Sequence, residues 1–415
     1  MEIAIIAPGS RGDIQPYVAL GKGLTEVGHF VRIITNMNYE VLVTAHGLDF
    51  WPIELDMQDF IQSEKMRAAL EGGGLFSSMS ELSKGMKSSA ILFAERSLAA
   101  CQDMDLIVGG LSGVFVGSAI SEKTGIPFLQ AYNLPITPTR AFPGLLTSRL
   151  KGRWNRLSHQ ITRQIIWQAT RPTDKAARKE ILGLPPASFL GPFKSEILNQ
   201  LPILYGYSPA VIHPPEDWDL DKIHVTGYWT LPPEDGWQPP QDLVQFLARE
   251  PRPIYIGFGS MSNRDPQATA NLVFEALERT GQRAIVFSGW GGMEKTNLPE
   301  SVLMVDSLPH SWLFPRVRAV VHHGGAGTTA AGLTAGVPSI VVPYHGDQPF
   351  WGDWVASLGV GPQPIPRKKL TAQKLATAIQ RAVSDETMRQ KAAALGEKIQ
   401  AEDGVGRAVE IIGQL

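Results

Sequence analysis

Short apolar runs rich in isoleucine and valine recur along the chain and alternate with longer segments of helical spacing. The first half contains IAIIAP, VRIITN, LIVGG and IPFLQAY, and the second half contains PIYIGFGS, RAIVFSG, VLMVD, AVVHHGG and SIVVPY. Runs that are apolar at nearly every position are typical of parallel strands, which are buried on both faces and need crossover helices between them. The alternation therefore predicts an α/β fold built from doubly wound parallel sheets.

The alternation is interrupted between 206 and 240. There the segments YSPAVIHPPEDWDLDK and TLPPEDGWQPPQD collect prolines, acidic residues and tryptophans, which is typical of a connection rather than of a core. A chain of 415 residues also exceeds the size of a single ordinary core. We predict an N-terminal Rossmann-like domain at 1–205, a linker at 206–240, a C-terminal Rossmann-like domain at 241–395, and a last helix within 396–415 for which the N-terminal domain is the candidate docking surface.

Charge and cysteine content narrow the class of protein. The 38 basic and 40 acidic residues balance, so the chain has no overall field that would attract nucleic acid. Its single cysteine, Cys101, excludes an internal disulfide and a cysteine-based metal site, and it fits a reducing compartment. The N-terminal segment MEIAIIAPGSRGD has no basic stretch before its short apolar run. We therefore expect a soluble cytoplasmic protein with no nucleic-acid partner.

The segment VVHHGGAGTTAAGL, at 320–333, joins an apolar run to a segment of helical character. Glycines in such a turn let the backbone approach a ligand, and the unpaired N–H groups and the dipole of the following helix favour a phosphate. The residues that would surround a diphosphate are His323, Gly325, Gly327, Thr328 and Thr329. The alternative is a glycine turn needed only for strand–helix packing, with His322 and His323 as satisfied polar groups. The chain lacks a Walker lysine and a GxGxxG after its first strand, so dinucleotide and P-loop sites are not indicated.

Asp347 and Gln348 follow the next apolar run, in VVPYHGDQPFWGD. Since the ends of parallel strands meet at one edge of a sheet, these residues are expected on the same rim as the glycine turn. A carboxylate beside a carboxamide suits the paired hydroxyls of a sugar. An acidic residue that only stabilises a turn is an equally good interpretation of the fragment alone.

The long segment LPHSWLFPRVRAVVHHGGAGTTAAGLTAGVPSIVVPYHGDQPFWGDWVASLGVGPQPIP resembles the signature region of sterol 3β-glucosyltransferases. PGSRGDIQPYVALGKGL, GFGSM and SGWGG resemble further motifs of that group, in the expected order. These enzymes are inverting, nucleotide-sugar-dependent glycosyltransferases of the GT-B fold. The resemblance implies two Rossmann-like doubly wound domains facing across a cleft, and transfer of a hexose, expected to be glucose from UDP-glucose, to a sterol-like, lipid-like or other hydrophobic aglycone.

The resemblance also implies which residues bind the donor. His323, Gly325, Gly327 and Thr328 match the diphosphate positions, and Asp347 with Gln348 matches the pair that holds the donor sugar. The full set of implied donor-binding residues is Ser10, Arg11, Gly12, Ser260, Trp290, Leu308, His323, Gly325, Ala326, Gly327, Thr328, Asp347 and Gln348. Within this set Ser260 is expected near the phosphates, and Trp290 and Leu308 near the nucleoside.

Asp13 is the implied catalytic base. It stands in PGSRGDIQP, where plant members of the family carry a histidine, and the region that would supply an orienting acid reads LIVGGLSG here. A histidine–aspartate dyad is therefore not expected. Ser307 replaces the tryptophan that stacks on uracil in plant enzymes. No acid cluster has metal-ligand spacing, so neither a metal nor a cofactor is expected beside the UDP-sugar co-substrate.

Two other functions remain open at this level. A nucleotide-sugar epimerase shares the architecture and a similar phosphate site, and a lipid or sterol carrier could have kept the fold and lost the chemistry. The acceptor is not specified by the sequence, although the segment at 57–93 carries methionines and phenylalanines suited to an apolar pocket. Packing between helices is an equal interpretation of that segment.

A basic segment at 140–179 contains ten lysines or arginines and one acid, Asp174. Trp154, Leu157, Ile161, Ile165 and Trp167 fall at or near helical spacing among the basic residues. This pattern is typical of an interfacial helix that contacts an anionic membrane. A core-facing stripe with a solvated basic face is the alternative.

Overall fold

The computed structural model describes residues 1–53, 75–147, 150, 152–233, 236–259, 266–287, 298–306 and 308–415. The chain divides into two compact units, one formed by Met1–Leu231 with Asp403–Leu415 and the other by Pro232–Glu402. Each unit contains one parallel sheet with helices between its strands. This architecture confirms the predicted α/β fold of two Rossmann-like domains.

The sheet of the first unit has seven parallel strands in the order β3-β2-β1-β4-β5-β6-β7. The strands are β1 Glu2–Ile6, β2 Phe30–Asn36, β3 Asp49–Ile53, β4 Leu106–Gly109, β5 Phe128–Tyr132, β6 Ile203–Tyr205 and β7 Ile223–Val225. In the centre, Ile5 lies beside Ile33 of β2 and Val108 of β4, and all three side chains are fully buried. Burial on both faces is the reason that these strands are apolar throughout.

Helices connect these strands. They are α1 Arg11–Glu26, α2 Glu40–Thr44, α3 Leu75–Ala100, α4 Val114–Thr124, α5 Asn155–Ala177 and α6 Glu196–Gln200, and the C-terminal α14 Gly404–Ile412 joins the same unit. The last helix packs closely on α1, because a Cβ at Gly23 would lie 2.4 Å from Val405 Cγ1. Ala408 and Ile412 are fully buried in the core that α1 shares. The last helix is thus part of the core of the first unit.

The second unit has five parallel strands in the order β10-β9-β8-β11-β12. The strands are β8 Ile254–Gly257, β9 Ala284–Phe287, β10 Val302–Val305, β11 Val320–His322 and β12 Ser339–Val341. The helices are α7 Gln241–Leu247, α8 Pro266–Thr280, α9 His310–Leu313, α10 Ala326–Thr334, α11 Gln348–Leu358, α12 Ala372–Ser384 and α13 Glu386–Gln400. Val321 of β11 lies between Ile256 and Ile340, which places the strand that leads to the glycine turn inside the sheet.

The domain limits differ from those predicted. Residues 223–225 form β7, which pairs with β6, so a strand of the first sheet lies within the segment assigned to the linker. Trp229 and Leu231 are also buried in the core of the first unit. The prolines mark the turns around a short edge strand, and the unit boundary follows Leu231.

Within the described residues, no helix is both long enough and apolar enough to cross a membrane.

Candidate functional site

In the second unit, the loops that follow β8, β11 and β12 meet at the carboxyl edge of the sheet. A Cβ at Gly259, whose φ is +63°, would lie 3.0 Å from the His323 ring. A Cβ at Gly324, with φ of +92°, would lie 2.6 Å from Val341 Cγ1 and 3.1 Å from the Gln348 carbonyl oxygen. Both turns need glycine for conformation and for space. The fold therefore brings His323 and Gln348 to one place.

His323 is held against the glycine turn with one ring nitrogen unused. A Cβ at Gly325 would lie 2.5 Å from its Nε2, and its buried Nδ1 has no hydrogen-bond partner among the residues described. Burial lowers the pKa of His323 to about 4, and an electrostatic interaction with His345 acts in the same direction. The ring is therefore neutral near pH 7 and carries a single N–H that can donate to an anion.

His322 shapes the same turn from inside the core. It is fully buried at the end of β11, and its Nδ1 accepts a hydrogen bond from the Gly324 N–H at 3.1 Å. That bond places the ring proton on Nε2, which is buried without a partner in the described part of the chain. Burial lowers the pKa of His322 to about 3, with smaller contributions from His323 and His310. His322 is not among the predicted donor-binding residues, although its position two residues before Gly324 is the signal for this bond.

The N-terminus of α10 adds backbone donors. Gly325 precedes the helix, and no side chain caps the first turn. Helix N–H groups without such a cap carry a partial positive charge that favours an anion. Thr328 is half-buried, whereas Thr329 is fully buried and its hydroxyl donates to the Gly325 carbonyl at 2.9 Å. Thr329 therefore serves the helix itself, which differs from the predicted contact with a diphosphate.

Asp347 and Gln348 hold the start of α11. The Gln348 Oε1 accepts hydrogen bonds from the backbone N–H groups of Tyr344 at 2.7 Å and His345 at 3.2 Å. The Asp347 Oδ2 accepts one from the Trp351 ring N–H at 3.0 Å. Gln348 is buried and Asp347 is half-buried. These bonds fix the orientation of both side chains beside the glycine turn.

The remaining residues predicted for the donor fall into two groups. Leu308 is half-buried and packs on the core cluster that contains Tyr255, Leu313 and Phe314. Ser260 and Trp290 lie outside the described residues, as does Ser307. Among the described residues, no group of three or more histidine, cysteine, aspartate or glutamate side chains is arranged to hold a metal ion.

In the first unit, Asp13 lies in the first turn of α1. Ser10 is the residue that precedes the helix, and the Asp13 Oδ2 accepts hydrogen bonds from its backbone N–H at 2.9 Å and its hydroxyl at 2.7 Å. This is a capping-box arrangement in which Ser10 occupies the cap position. The helix begins at Arg11. Arg11, Gly12 and Asp13 are all exposed.

Asp13 shares the carboxyl edge of its sheet with buried phenols. Burial raises the pKa of Tyr17 and of Tyr39, and the negative charge of Asp13 raises both further. The Tyr17 hydroxyl donates to the Ala131 carbonyl at 2.6 Å. The neighbouring loop at 110–113 contains glycine, leucine and serine and no acid. Asp13 therefore has no orienting acid on that loop, in keeping with the sequence.

Two histidines of the first unit, His159 and His29, are alternative candidates for the base. His159 is buried in α5, its Nε2 lies 3.0 Å from the Phe142 carbonyl oxygen, and burial lowers its pKa to about 4. His29 lies at the amino end of β1, where its Nδ1 is 3.1 Å from the Met1 amino group. Asp13 follows the opposite end of that strand, so His29 does not belong to its site.

Comparison with known families agrees with this architecture. The family model described as the glycosyltransferase family 28 N-terminal domain matches residues 3–143. The model described as the C-terminal domain of an erythromycin biosynthesis protein CIII-like family matches residues 283–414. The first match lies within the first unit, whereas the second covers the second unit from residue 283 and continues into the C-terminal helix of the first unit.

Similar proteins are sterol 3-beta-glucosyltransferases. UGT80B1 of Arabidopsis thaliana is 36% identical over 99% of this chain, which covers 67% of that protein. UGT80A2 of the same plant is 37% identical over 99% of this chain, which covers 65% of that protein. A sterol 3-beta-glucosyltransferase of Cryptococcus neoformans is 36% identical over 99% of this chain, but this chain covers only 27% of that protein. The chain thus spans about a quarter of that fungal relative and about two thirds of the plant ones.

Solved structures of glycosyltransferases share the fold. The spinosyn forosaminyltransferase SpnP superposes with a TM-score of 0.70 at 16% identity, covering 100% of this chain and 98% of its own. The glycosyltransferase SnogD from Streptomyces nogalater superposes with a TM-score of 0.69 at 19% identity, covering 100% of this chain and 99% of its own. The fold is therefore GT-B. The chain belongs to the sterol 3-beta-glucosyltransferase family, and this membership does not favour an epimerase.

The buried histidines predict a pH dependence of stability. The pKa of His322 is about 3 in the folded state and about 6.5 in an unfolded chain. The unfolded state therefore binds more protons, and the contribution of His322 to stability, complete above about pH 6.5, is lost progressively as pH falls towards 3. His322→Asn keeps an acceptor near the Gly324 N–H and removes the titrating group. Its thermal midpoint should fall less between pH 7 and about pH 4 than that of the parent.

The exposed His213 provides a matched control for that comparison. His213→Asn removes a histidine that the fold does not bury, so its midpoint should follow the parent across the same pH series. Parallel curves for His322→Asn and the parent would contradict the assignment.

Proposed function

We propose that the protein transfers glucose from UDP-glucose, with inversion, to a hydroxyl group of a sterol-like or other hydrophobic acceptor. The observation that carries the proposal is the glycine turn of the second unit, where neutral His323 adjoins an N-terminus of α10 that no side chain caps. Two relatives that match 99% of this chain are sterol 3-beta-glucosyltransferases, which supports the sugar and the acceptor class.

The diphosphate of the donor would lie over the first turn of α10. Backbone N–H groups of Ala326, Gly327 and Thr328 are in position to donate to its oxygens, and the helix dipole favours the negative charge. The His323 N–H would provide a further donor. Gly325 is needed because a side chain there would overlap the His323 ring. These groups would also stabilise UDP as it leaves, which is the work that a metal ion does in other transferases.

The donor sugar would lie beside Asp347 and Gln348, whose orientations are fixed by Trp351 and by the backbone of the preceding loop. Carboxylate and carboxamide groups can accept and donate to neighbouring hydroxyls in pairs. Leu308 and Trp290 are proposed for the nucleoside and Ser260 for the phosphates. The exposed residues Ser10, Arg11 and Gly12, at the start of α1, are proposed as donor contacts from the first unit.

In the proposed reaction, an acceptor oxygen bonds to the anomeric carbon as the bond from that carbon to the UDP oxygen breaks. Asp13 takes the proton that the acceptor hydroxyl loses. Its Oδ2 is occupied by Ser10, whereas its Oδ1 makes no hydrogen bond to the described residues. An aspartate is a weak base for an alcohol, so the proton moves late, when positive charge developing on the sugar has made the hydroxyl acidic.

The test of this function is an assay of UDP release and product formation with UDP-glucose and a panel of sterols, other lipid alcohols and flat phenols. UDP release that requires an acceptor is expected, and excess chelator should leave the rate unchanged. A new sugar epimer formed without acceptor would identify an epimerase. Sterol binding without UDP release would identify a carrier, and a loss of activity restored by magnesium would contradict the metal-free mechanism.

Asp13→Asn separates chemistry from structure. The carboxamide oxygen can still accept from Ser10, so the fold and the affinity for UDP should persist, while loss of the base lowers turnover on the order of 10²-fold or more. Asp13→Ala should lose turnover and also about 0.5–2 kcal/mol of stability, since it removes the helix-capping partner. Turnover of the Asn variant near the parent rate would show that the base lies elsewhere.

His323→Ala tests the diphosphate site. Loss of a donor to phosphate should weaken UDP binding by roughly 1.5–3 kcal/mol, measured by calorimetry, and should lower turnover while the unfolding midpoint stays near that of the parent. His345→Ala is the matched control, because this exposed side chain lies on the adjacent loop outside the proposed contacts. Unchanged UDP affinity and turnover in His323→Ala would remove the residue from the site.

A further inference from the structure

The first unit carries an exposed apolar stripe at the start of α5. Trp154, Leu157 and Ile165 are 48%, 42% and 47% exposed, and Ile161 between them is half-buried. The spacing of four residues places Leu157, Ile161 and Ile165 on one face of the helix. Trp154 immediately precedes the helix, three residues before Leu157. Leu150, 39% exposed, lies in the segment that leads into the helix. Exposed tryptophan and leucine side chains in one row call for an explanation.

The opposite face of α5 packs into the unit. Ser158, His159 and Thr162 are buried, and the fully buried Trp167 donates its ring N–H to the Phe189 carbonyl at 2.9 Å. The prediction that Trp167 continues the apolar stripe of the basic segment is therefore wrong, because the tryptophan turns towards the core. α5 therefore has one buried face and one exposed face, and the buried face holds the helix in place without the exposed stripe at 154–165.

Positive charge surrounds the stripe. Residues 140–160 include Arg140, Arg153 and Arg156 and contain no acid. These three arginines, with Trp154 and Leu157, line a shallow surface cavity of about 580 Å³. The Arg153 guanidinium lies 5.0 Å from the centre of the Trp154 ring. The neighbouring acid, Asp217, accepts hydrogen bonds from the Thr139 hydroxyl and the Arg140 backbone N–H. Because the three arginines outnumber this one acid, the net charge of the patch is positive.

We propose that this patch, formed by Leu150, Trp154, Leu157, Ile165 and the three arginines, docks on an anionic lipid surface. The rings and aliphatic chains enter the boundary between headgroups and acyl chains, and the guanidinium groups pair with lipid phosphates and carboxylates. A lipid surface fits better than a protein surface because a row of tryptophan and leucine flanked only by cations matches the layered polarity of a bilayer.

The patch is tied to the end of the unit that carries Asp13. The His159 Nε2 and the Arg163 Nε–H bond to the carbonyl oxygens of Phe142 and Ile136, in the segment that follows the carboxyl end of β5. Asp13 follows the carboxyl end of β1 in the same parallel sheet. If the acceptor is a membrane lipid, which rests on the proposed function, docking through this patch brings the lipid surface to the edge of the sheet that would bind it.

Sedimentation with vesicles tests the docking directly and needs no catalysis. The parent should pellet with vesicles of phosphatidylcholine mixed with phosphatidylserine and stay in solution with phosphatidylcholine alone. Arg153→Gln/Arg156→Gln should weaken partitioning by about tenfold or more, and high salt should do the same. Trp154→Glu/Leu157→Glu should abolish it. Leu220→Glu is the matched control, since Leu220 is 54% exposed in the same unit outside the patch, and it should bind as the parent does.

Equal recovery of the parent in solution with both vesicle types would overturn the proposal. So would binding that the two double variants leave intact, or a dimer in light scattering that Trp154→Glu/Leu157→Glu dissociates, because the patch would then join two protein copies. The same variants should still transfer sugar to an acceptor presented in detergent. A parent without transferase activity would count against the proposed function and leave the vesicle result standing.

Discussion

Parallel strand pairing is the constraint on which the rest of this structure depends. A parallel pair needs a crossover connection between its strands. Within each unit, all the strands that the structure describes are parallel to their neighbours and therefore end at one edge of that unit's sheet. The loops after β8, β11 and β12 therefore meet without any contact having to be specified for that purpose. The same rule brings the loops after β1 and β4 together in the first unit. The candidate residues on these loops owe their proximity to the sheet and not to their separation in sequence.

Burial then sets the chemical state of the groups at that edge. His322 and His323 lose most of their contact with water at the end of an interior strand, and their pKa values fall to about 3 and about 4. Two neutral rings can stand side by side where two imidazolium ions could not. Because the Nδ1 of His322 is taken by the Gly324 N–H, the tautomer of that ring is set by the turn itself. The turn and the histidines stabilise one arrangement together.

Several residues at the two edges serve the fold and the proposed chemistry at once. Asp13 stabilises the first turn of α1 through Ser10, and Gln348 holds the loop before α11 through two backbone bonds. A side chain held in this way has already lost its rotational freedom before a ligand arrives. The start of α5 differs, because Leu157 and Trp154, the residue that precedes the helix, remain 42% and 48% exposed. That contrast sets the apolar stripe apart from the core.

The sequence by itself determined the α/β class, the two units, the glycine turn and the candidate residues, because strand periodicity and helix signals are local and the family motifs are contiguous. It did not determine that 223–225 forms an edge strand, that Thr329 bonds within its own helix, that Ser10 caps α1, or that Trp167 turns inward. Each of these depends on a partner far along the chain or on the face a side chain presents after packing. The tertiary structure decided them, because burial and hydrogen-bond satisfaction are settled only when the whole unit has closed around its core.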